Sequence, residues 1–227
     1  DITFAGDLNS SSFSIPDFIS FIPSLSSGVG GAITLSTDTG DILIEGYLNS
    51  QSSSWSDGLF VPVFADNSGN GGPITITSNT GDISIEDSLD SSSFILTSSS
   101  FNSTVGGDSG DGGAITITSD SGDILLDDSL DTQSYSLAFS SRSPTIISSG
   151  NSGDGGSITI SSRSGDIITN DYIDTASWSG VAAGEGVTAS GDSGNGGDIS
   201  IFSDSGNIII NAPDHSEQQF LISTFSD

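Results

Sequence analysis

The chain predicts an all-β fold, a parallel β-helix, on three observations. A 41-residue unit recurs, its apolar residues alternate within short segments, and no segment repeats at a helical spacing. The unit, typified by Gly-Gly-x-Ile-Thr-Ile-x-Ser-x-x-Gly-Asp-Ile, begins at Gly30, Gly71, Gly112, Gly155 and Gly196, in steps of 41, 41, 43 and 41 residues. A fixed period of this size marks a solenoid, in which each coil buries its apolar face only against its neighbours. We expect a single solenoid domain over residues 1–227, with a partial repeat over 1–29.

The first strand follows the double glycine. In Ala114-Ile115-Thr116-Ile117-Thr118 every second residue is apolar, as in a half-buried strand. Ile33, Ile74, Ile115, Ile158 and Ile199 should form one inward column, and Leu35, Ile76, Ile117, Ile160 and Ile201 the next. A Ser-Asp-Ser-Gly turn follows, whose glycine is free to take a positive φ. The second strand turns Ile42, Ile83, Ile124, Ile167 and Ile208 inward, then Ile44, Ile85, Leu126 and Ile210, with Thr169 breaking that column.

A third apolar marker stands at Leu48, Leu89, Leu130 and Ile173. Up to this marker the spacing is constant, except that in the last unit the place falls to Asp214 and the pattern decays, so this half is the stacked scaffold. The remainder varies in length and contains at least one loop. It carries an aromatic in every unit: Phe13, Trp55, Phe94, Tyr135, Trp178 and Phe220. Stacked coil on coil, these predict a structural aromatic ladder that fills the core on a third side. About three strands per turn are expected. One turn per unit is preferred because residue classes match at 41 residues and not at half that, with two shorter turns per unit as the alternative.

Composition narrows the function. Thirty acidic residues face two arginines and no lysine, a net charge of −28. This field repels nucleic acid and anionic membranes, and favours cations, basic surfaces or neutral glycans. No apolar stretch is long enough to insert into a membrane as a helix. With no Cys there is no disulfide framework, and a chain without Met that begins at Asp1 reads as processed or as part of something longer.

Candidate metal ligands lie in two kinds of column. One is the Gly-Asp position: Asp1, Asp41, Asp82, Asp123 and Asp166, ending in Asn207. Stacked carboxylates about 4.8 Å apart repel. Calcium would offset this, since hard cations take carboxylate oxygens; hydrogen bonds from turn N–H groups would also do so. The second is the loop before the double glycine, containing Asp108, Asp111, Asp154 and Asp192 with Asn67, Asn70, Asn151 and Asn195. It lacks the nonapeptide spacing of glycine-aspartate calcium repeats and reads first as a turn-former. A further column, Asn9, Asn49, Asp90, Asp131 and Asp174, reads as solvated surface, as does Glu45, Glu86 and Asp127.

Outward Thr34, Thr75, Thr77, Thr116, Thr118 and Thr159 make a partial ladder similar to the threonine arrays of ice-binding solenoids. Pro73, Asp198 and Phe202 interrupt it, and threonine is in any case a good strand residue. An enzyme is not expected. β-Helices include polysaccharide lyases and hydrolases, but acidic residues here recur in every unit whereas an active site occurs once. The single His215 lies near the end, and there is no lysine.

The phrases Gly112-Gly113-Ala114-Ile115-Thr116-Ile117 and Gly196-Gly197-Asp198-Ile199-Ser200-Ile201, each followed by Ser-Asp-Ser-Gly, resemble the repeats of filamentous-haemagglutinin-like exoproteins, especially the large cyanobacterial forms. The resemblance covers nearly the whole chain. It implies a right-handed β-helix, export to the extracellular side or cell surface, and a role in adhesion, sheath or matrix. It brings no catalytic residues, and the family's amino-terminal secretion domain has no counterpart here.

The repeat is cut within a unit at both termini, and neither carries a polar capping repeat. Uncapped solenoids are driven to stack. The expected function is therefore an extracellular structural one: a head-to-tail subunit of a surface filament or sheath, or a segment of a fibrous adhesin, whose partner is itself or flanking repeats. A calcium-dependent module that binds glycans or a cell surface is the alternative, and a polysaccharide-degrading enzyme a remote one.

Overall fold

A computed structural model of the protein describes residues 1–14, 26–58, 62–100, 103–140, 146–183, 187–211 and 222–223. These contain no helix; all regular structure is short strand. Every strand pairs in parallel with its equivalent one repeat away, as in Ile74↔Ile115 and Ile115↔Ile158. The chain is thus a parallel β-helix with one coil per repeat.

Five ladders run along the coil, where the sequence suggests about three. The first comprises Ile33–Thr37, Ile74–Ser78, Ile115–Ser119, Ile158–Ser162 and Ile199–Ser203. The second runs from Ile2–Phe4 through Ile42–Ile44, Ile83–Ile85, Ile124–Leu126 and Ile167–Thr169 to Ile208–Ile210. The third consists of two-residue pieces, among them Leu48–Asn49, Leu89–Asp90, Leu130–Asp131 and Ile173–Asp174. The fourth contains Ser12–Ser14, Ser52–Gly58, Ser93–Ser99, Ser134–Ser140 and Ser177–Ala183. The fifth contains Val63–Phe64, Thr104–Val105, Ile146–Ser148 and Val187–Ala189. The two short ladders carry too few residues to show an alternation in sequence.

The coil encloses two compartments of different chemistry. The isoleucine and leucine columns of the first three ladders form one continuous cluster, with Ile44, Leu48, Ile74, Ile76, Leu89, Ile115 and Ile117 wholly buried. Each such side chain contributes about 1.5–3 kcal/mol on burial. The fourth ladder instead turns hydroxyls inward. Ser52, Ser93, Ser134 and Ser177 are buried and donate across the coil to the carbonyls of Gly28, Gly69, Gly110 and Gly153, at 2.7, 2.8, 2.7 and 2.6 Å. Buried polar groups are tolerated when paired in this way.

The double glycine divides the compartments. The Gly72, Gly113, Gly156 and Gly197 N–H groups donate to the carbonyls of Ser50, Ser91, Thr132 and Thr175 on the opposite wall, at 2.7, 2.6, 2.8 and 2.9 Å. A Cβ on Gly112 would stand 1.8 Å from the Thr132 carbonyl oxygen. Glycine is required here because two backbones meet across the coil.

The glycine of the Ser-Asp-Ser-Gly turn has a different reason from the one its turn position suggests. Among the described residues only Gly40 has a positive φ, at 108°. At Gly122 the limit is the neighbouring coil, since a Cβ there would lie 2.1 Å from the Gly81 carbonyl oxygen. The turn is held by serine: Ser119 Oγ accepts the Gly122 N–H at 2.9 Å and donates to the Gly81 carbonyl at 3.2 Å.

Candidate functional site

The aspartate columns lie on the outside, at turns where the backbone leaves one ladder for the next. In the Gly-Asp column each carboxylate accepts the backbone N–H of its successor. Asp82, Asp123, Asp166 and Asn207 donate to the Oδ1 atoms of Asp41, Asp82, Asp123 and Asp166 at 3.0, 2.8, 2.8 and 2.7 Å. Charge-assisted bonds of this kind are roughly twice as strong as neutral ones. They offset the repulsion that made calcium attractive.

The loop aspartates use the same device. Asp108 and Asp192 donate their backbone N–H to Asn67 and Asn151 Oδ1, at 2.8 Å each, while Asp108 Oδ1 accepts from Asn151 at 2.7 Å. Asp111 Oδ1 accepts the Asp154 N–H at 2.9 Å, and Asp154 Oδ1 the Asn195 N–H at 2.7 Å. The interleaved asparagines also donate, as from Asn70 Nδ2 to Asp111 Oδ2 at 3.3 Å. Among the described residues no three acidic or histidine side chains converge as a metal would require. Along the rod Asp41, Asp82, Asp123, Asp166, Asp108, Asp111 and Asp154 each accept a backbone N–H from the next coil, while Asp192 donates its own N–H to Asn151.

The column Asn49, Asp90, Asp131 and Asp174 differs from the solvated edge that the sequence suggests. It lies in the third ladder, in direct register, and its three carboxylates are partly buried. Each Oδ1 accepts the N–H two residues on: Asp90 from Ser92, Asp131 from Gln133 and Asp174 from Ala176, at 2.9 Å each. Two carboxylates receive further donors from the coil before. Asp90 Oδ2 accepts Tyr47 OH and Gln51 Nε2 at 2.7 Å each, and Asp174 Oδ2 accepts Gln133 Nε2 at 2.6 Å. In the coil before Asp131, Gln is replaced by Ser92, whose hydroxyl donates to Asp90 at 2.6 Å. Burial, then the charge of Asp90, pushes the Asp131 carboxyl up to about 8, against the Gln133 N–H, which lowers it; the charge of Asp174 adds to the rise. Burial also raises the Tyr47 hydroxyl, together with Asp90's charge and hydrogen bond, and it pushes Tyr135 up to about 12 beside Asp131 and Asp90. The signal in the sequence is Gln51 and Gln133, each two residues beyond an Asx of this column.

The aromatic ladder is shorter than expected and lies on the outer face. Phe94, Tyr135 and Trp178 are in register and stacked, with centroids 5.1 and 5.8 Å apart and planes inclined by 8° and 11°. Trp55 pairs instead with Leu96, and Phe13 with Ser53; both are exposed, by 44% and 55%. Phe220 lies outside the described residues. The reason is parity. The inward-facing Ser93, Ser134 and Ser177 fix the strand, so the adjacent aromatics must point outward. Stacked rings spend their faces on one another and present their edges to solvent.

No known protein family, curated protein or solved structure matches this chain. No helix among the described residues is long and apolar enough to cross a membrane.

Proposed function

We propose that this chain is an extracellular structural protein: the shaft of a surface filament or sheath, or a segment of a fibrous adhesin of the filamentous-haemagglutinin-like kind. The observation that carries this reading is the regularity of the rod. Among the described residues five ladders continue in register, and the aspartates of the exposed turns repeat from coil to coil as staples. Among the described residues the second ladder ends on Ile208–Ile210, each exposed by 37–43%, with no strand paired to its outer edge. Such an edge accepts a further strand, whether from more of the same chain or from a second copy. Electron microscopy of the purified protein should show fibres that lengthen with concentration. Uniform monomeric particles at every concentration would overturn the self-assembling form of this reading.

A second reading, a calcium-dependent module for glycans or a cell surface, is supported by one feature. Asp41, Asp82 and Asp123 are exposed and use Oδ1 for the coil-to-coil bond, which leaves the second oxygen toward solvent. Calorimetry with calcium tests it; no heat, and no change in melting on adding chelator, would sink it.

A further inference from the structure

We infer that the outer face of the first ladder binds an extended lattice of ordered water, the surface of ice. The face carries two columns in direct backbone register. One is Thr34, Thr75, Thr116, Thr159 and Ser200, and the other is Ser36, Thr77, Thr118, Ser161 and Phe202. All but Phe202 bear a hydroxyl, and all are partly or fully exposed while their neighbours in the strand turn inward.

The parallel ladder fixes two repeats at once. Coils are spaced about 4.8 Å apart, and alternate residues of a strand about 6.6 Å. Hydroxyls therefore lie on a nearly rectangular grid that repeats in two directions, as the oxygens of a crystalline ice surface do. Threonine is β-branched and stiff at χ1, so a threonine grid is ordered before anything binds and little side-chain entropy is lost on contact. Among the described residues none of these hydroxyls has a partner within the protein. This sets them apart from the inward serines, which are spent on glycine carbonyls. The grid's whole hydrogen-bonding capacity faces outward.

Charge selects among occupants. The chain carries −28, yet the two columns hold no charged residue; Asp38, Asp120, Arg163 and Asp204 lie just beyond, at the turn. The grid thus suits an uncharged partner that donates and accepts hydrogen bonds and repeats in two directions. Ice has all three properties. A polysaccharide chain repeats in one direction, and a second copy brings the same large negative field. Of the residues that interrupt the threonine pattern in sequence, Pro73 and Asp198 precede their strands and lie at the margin of the grid. Phe202 falls within it, in the last coil of this ladder.

The test is enrichment in a slowly growing ice front, with thermal hysteresis read on the same sample. The intact chain should partition into ice, whereas a soluble control protein is excluded. The double variant T116Y/T118Y, which breaks the grid at its centre, should lose enrichment and hysteresis while its circular dichroism and melting stay near the parent's. A matching change on the second ladder's outer face, Ser84→Tyr, should leave both intact. Exclusion of the parent chain from ice overturns the inference, and so does full enrichment by the double variant. Sedimentation supplies a further arm: dimers that T116Y/T118Y dissolves would show that the face pairs copies of the chain and would also overturn it. Insoluble polysaccharide pulled down through this face, with no enrichment in ice, would do the same.

Discussion

The Gln133 side-chain amide donates to Asp174 Oδ2 at 2.6 Å, whereas among the described residues Asp131, one coil earlier in the same column, receives only the Gln133 backbone N–H. The middle carboxylate of a partly buried file is thus the least supported. It keeps its proton to about pH 8 in the native chain, against an ordinary value of 3.8. Between these values the folded state binds more protons than the unfolded one, so stability falls as pH rises and levels off above about 8. The slope is at most about 1.4 kcal/mol per pH unit. Melting temperature measured from pH 6 to 9 (about one unit beyond the native value) should decline and then flatten. Asp131→Asn should remove most of that decline.

Thr169 interrupts the isoleucine column of the second ladder with a buried hydroxyl that has no partner among the described residues. Thr169→Val keeps the shape and removes the unpaired group. It should stabilise the chain by about 1 kcal/mol. A denaturant midpoint equal to or below the parent's would contradict this.

The double glycine should be the least replaceable part of the repeat. Gly112→Ala places a Cβ 1.8 Å from a carbonyl oxygen that cannot yield without parting the two walls. A loss of about 3 kcal/mol or more is expected. Gly6 has nothing within 4 Å of such a Cβ, so Gly6→Ala should be close to neutral. Equal effects in the two variants, read by chemical unfolding, would refute the cross-coil explanation.

The staple model separates acceptor from charge. Asp123→Asn retains an oxygen for the Asp166 N–H and removes a like charge from the column, so it should be neutral or slightly stabilising at low salt. Asp123→Ala loses the bond and should cost about 1 kcal/mol. If Asn proved as costly as Ala, the carboxylate charge itself would be needed, as a bound cation would require.

Phe94 and Tyr135 should be coupled through their rings. A double-mutant cycle with alanine should return about 0.5–1.5 kcal/mol of interaction. Trp55 stands in register with Leu96, and a Trp55–Phe94 cycle should return less.

Alternation in Ile115-Thr116-Ile117 and the constant spacing to Leu130 made the apolar compartment legible, because a two-residue period leaves its mark on every strand. The aromatic side carries no such local mark. Phe94, Tyr135 and Trp178 look like core residues until one knows that Ser93, Ser134 and Ser177 bond to glycine carbonyls on the far wall. Those partners are 24 residues away in the chain and leave no local pattern.

Residues that recur at a fixed distance are enough to give the coil its period, its parallel stacking and its isoleucine columns. What each recurrent polar residue does depends on the wound chain. Asp123 and Asp131 are both repeated aspartates, yet one staples an exposed turn and the other holds a proton in a partly buried file. The difference lies in burial and in the donors supplied by the neighbouring coil, and these exist only once the chain has wound.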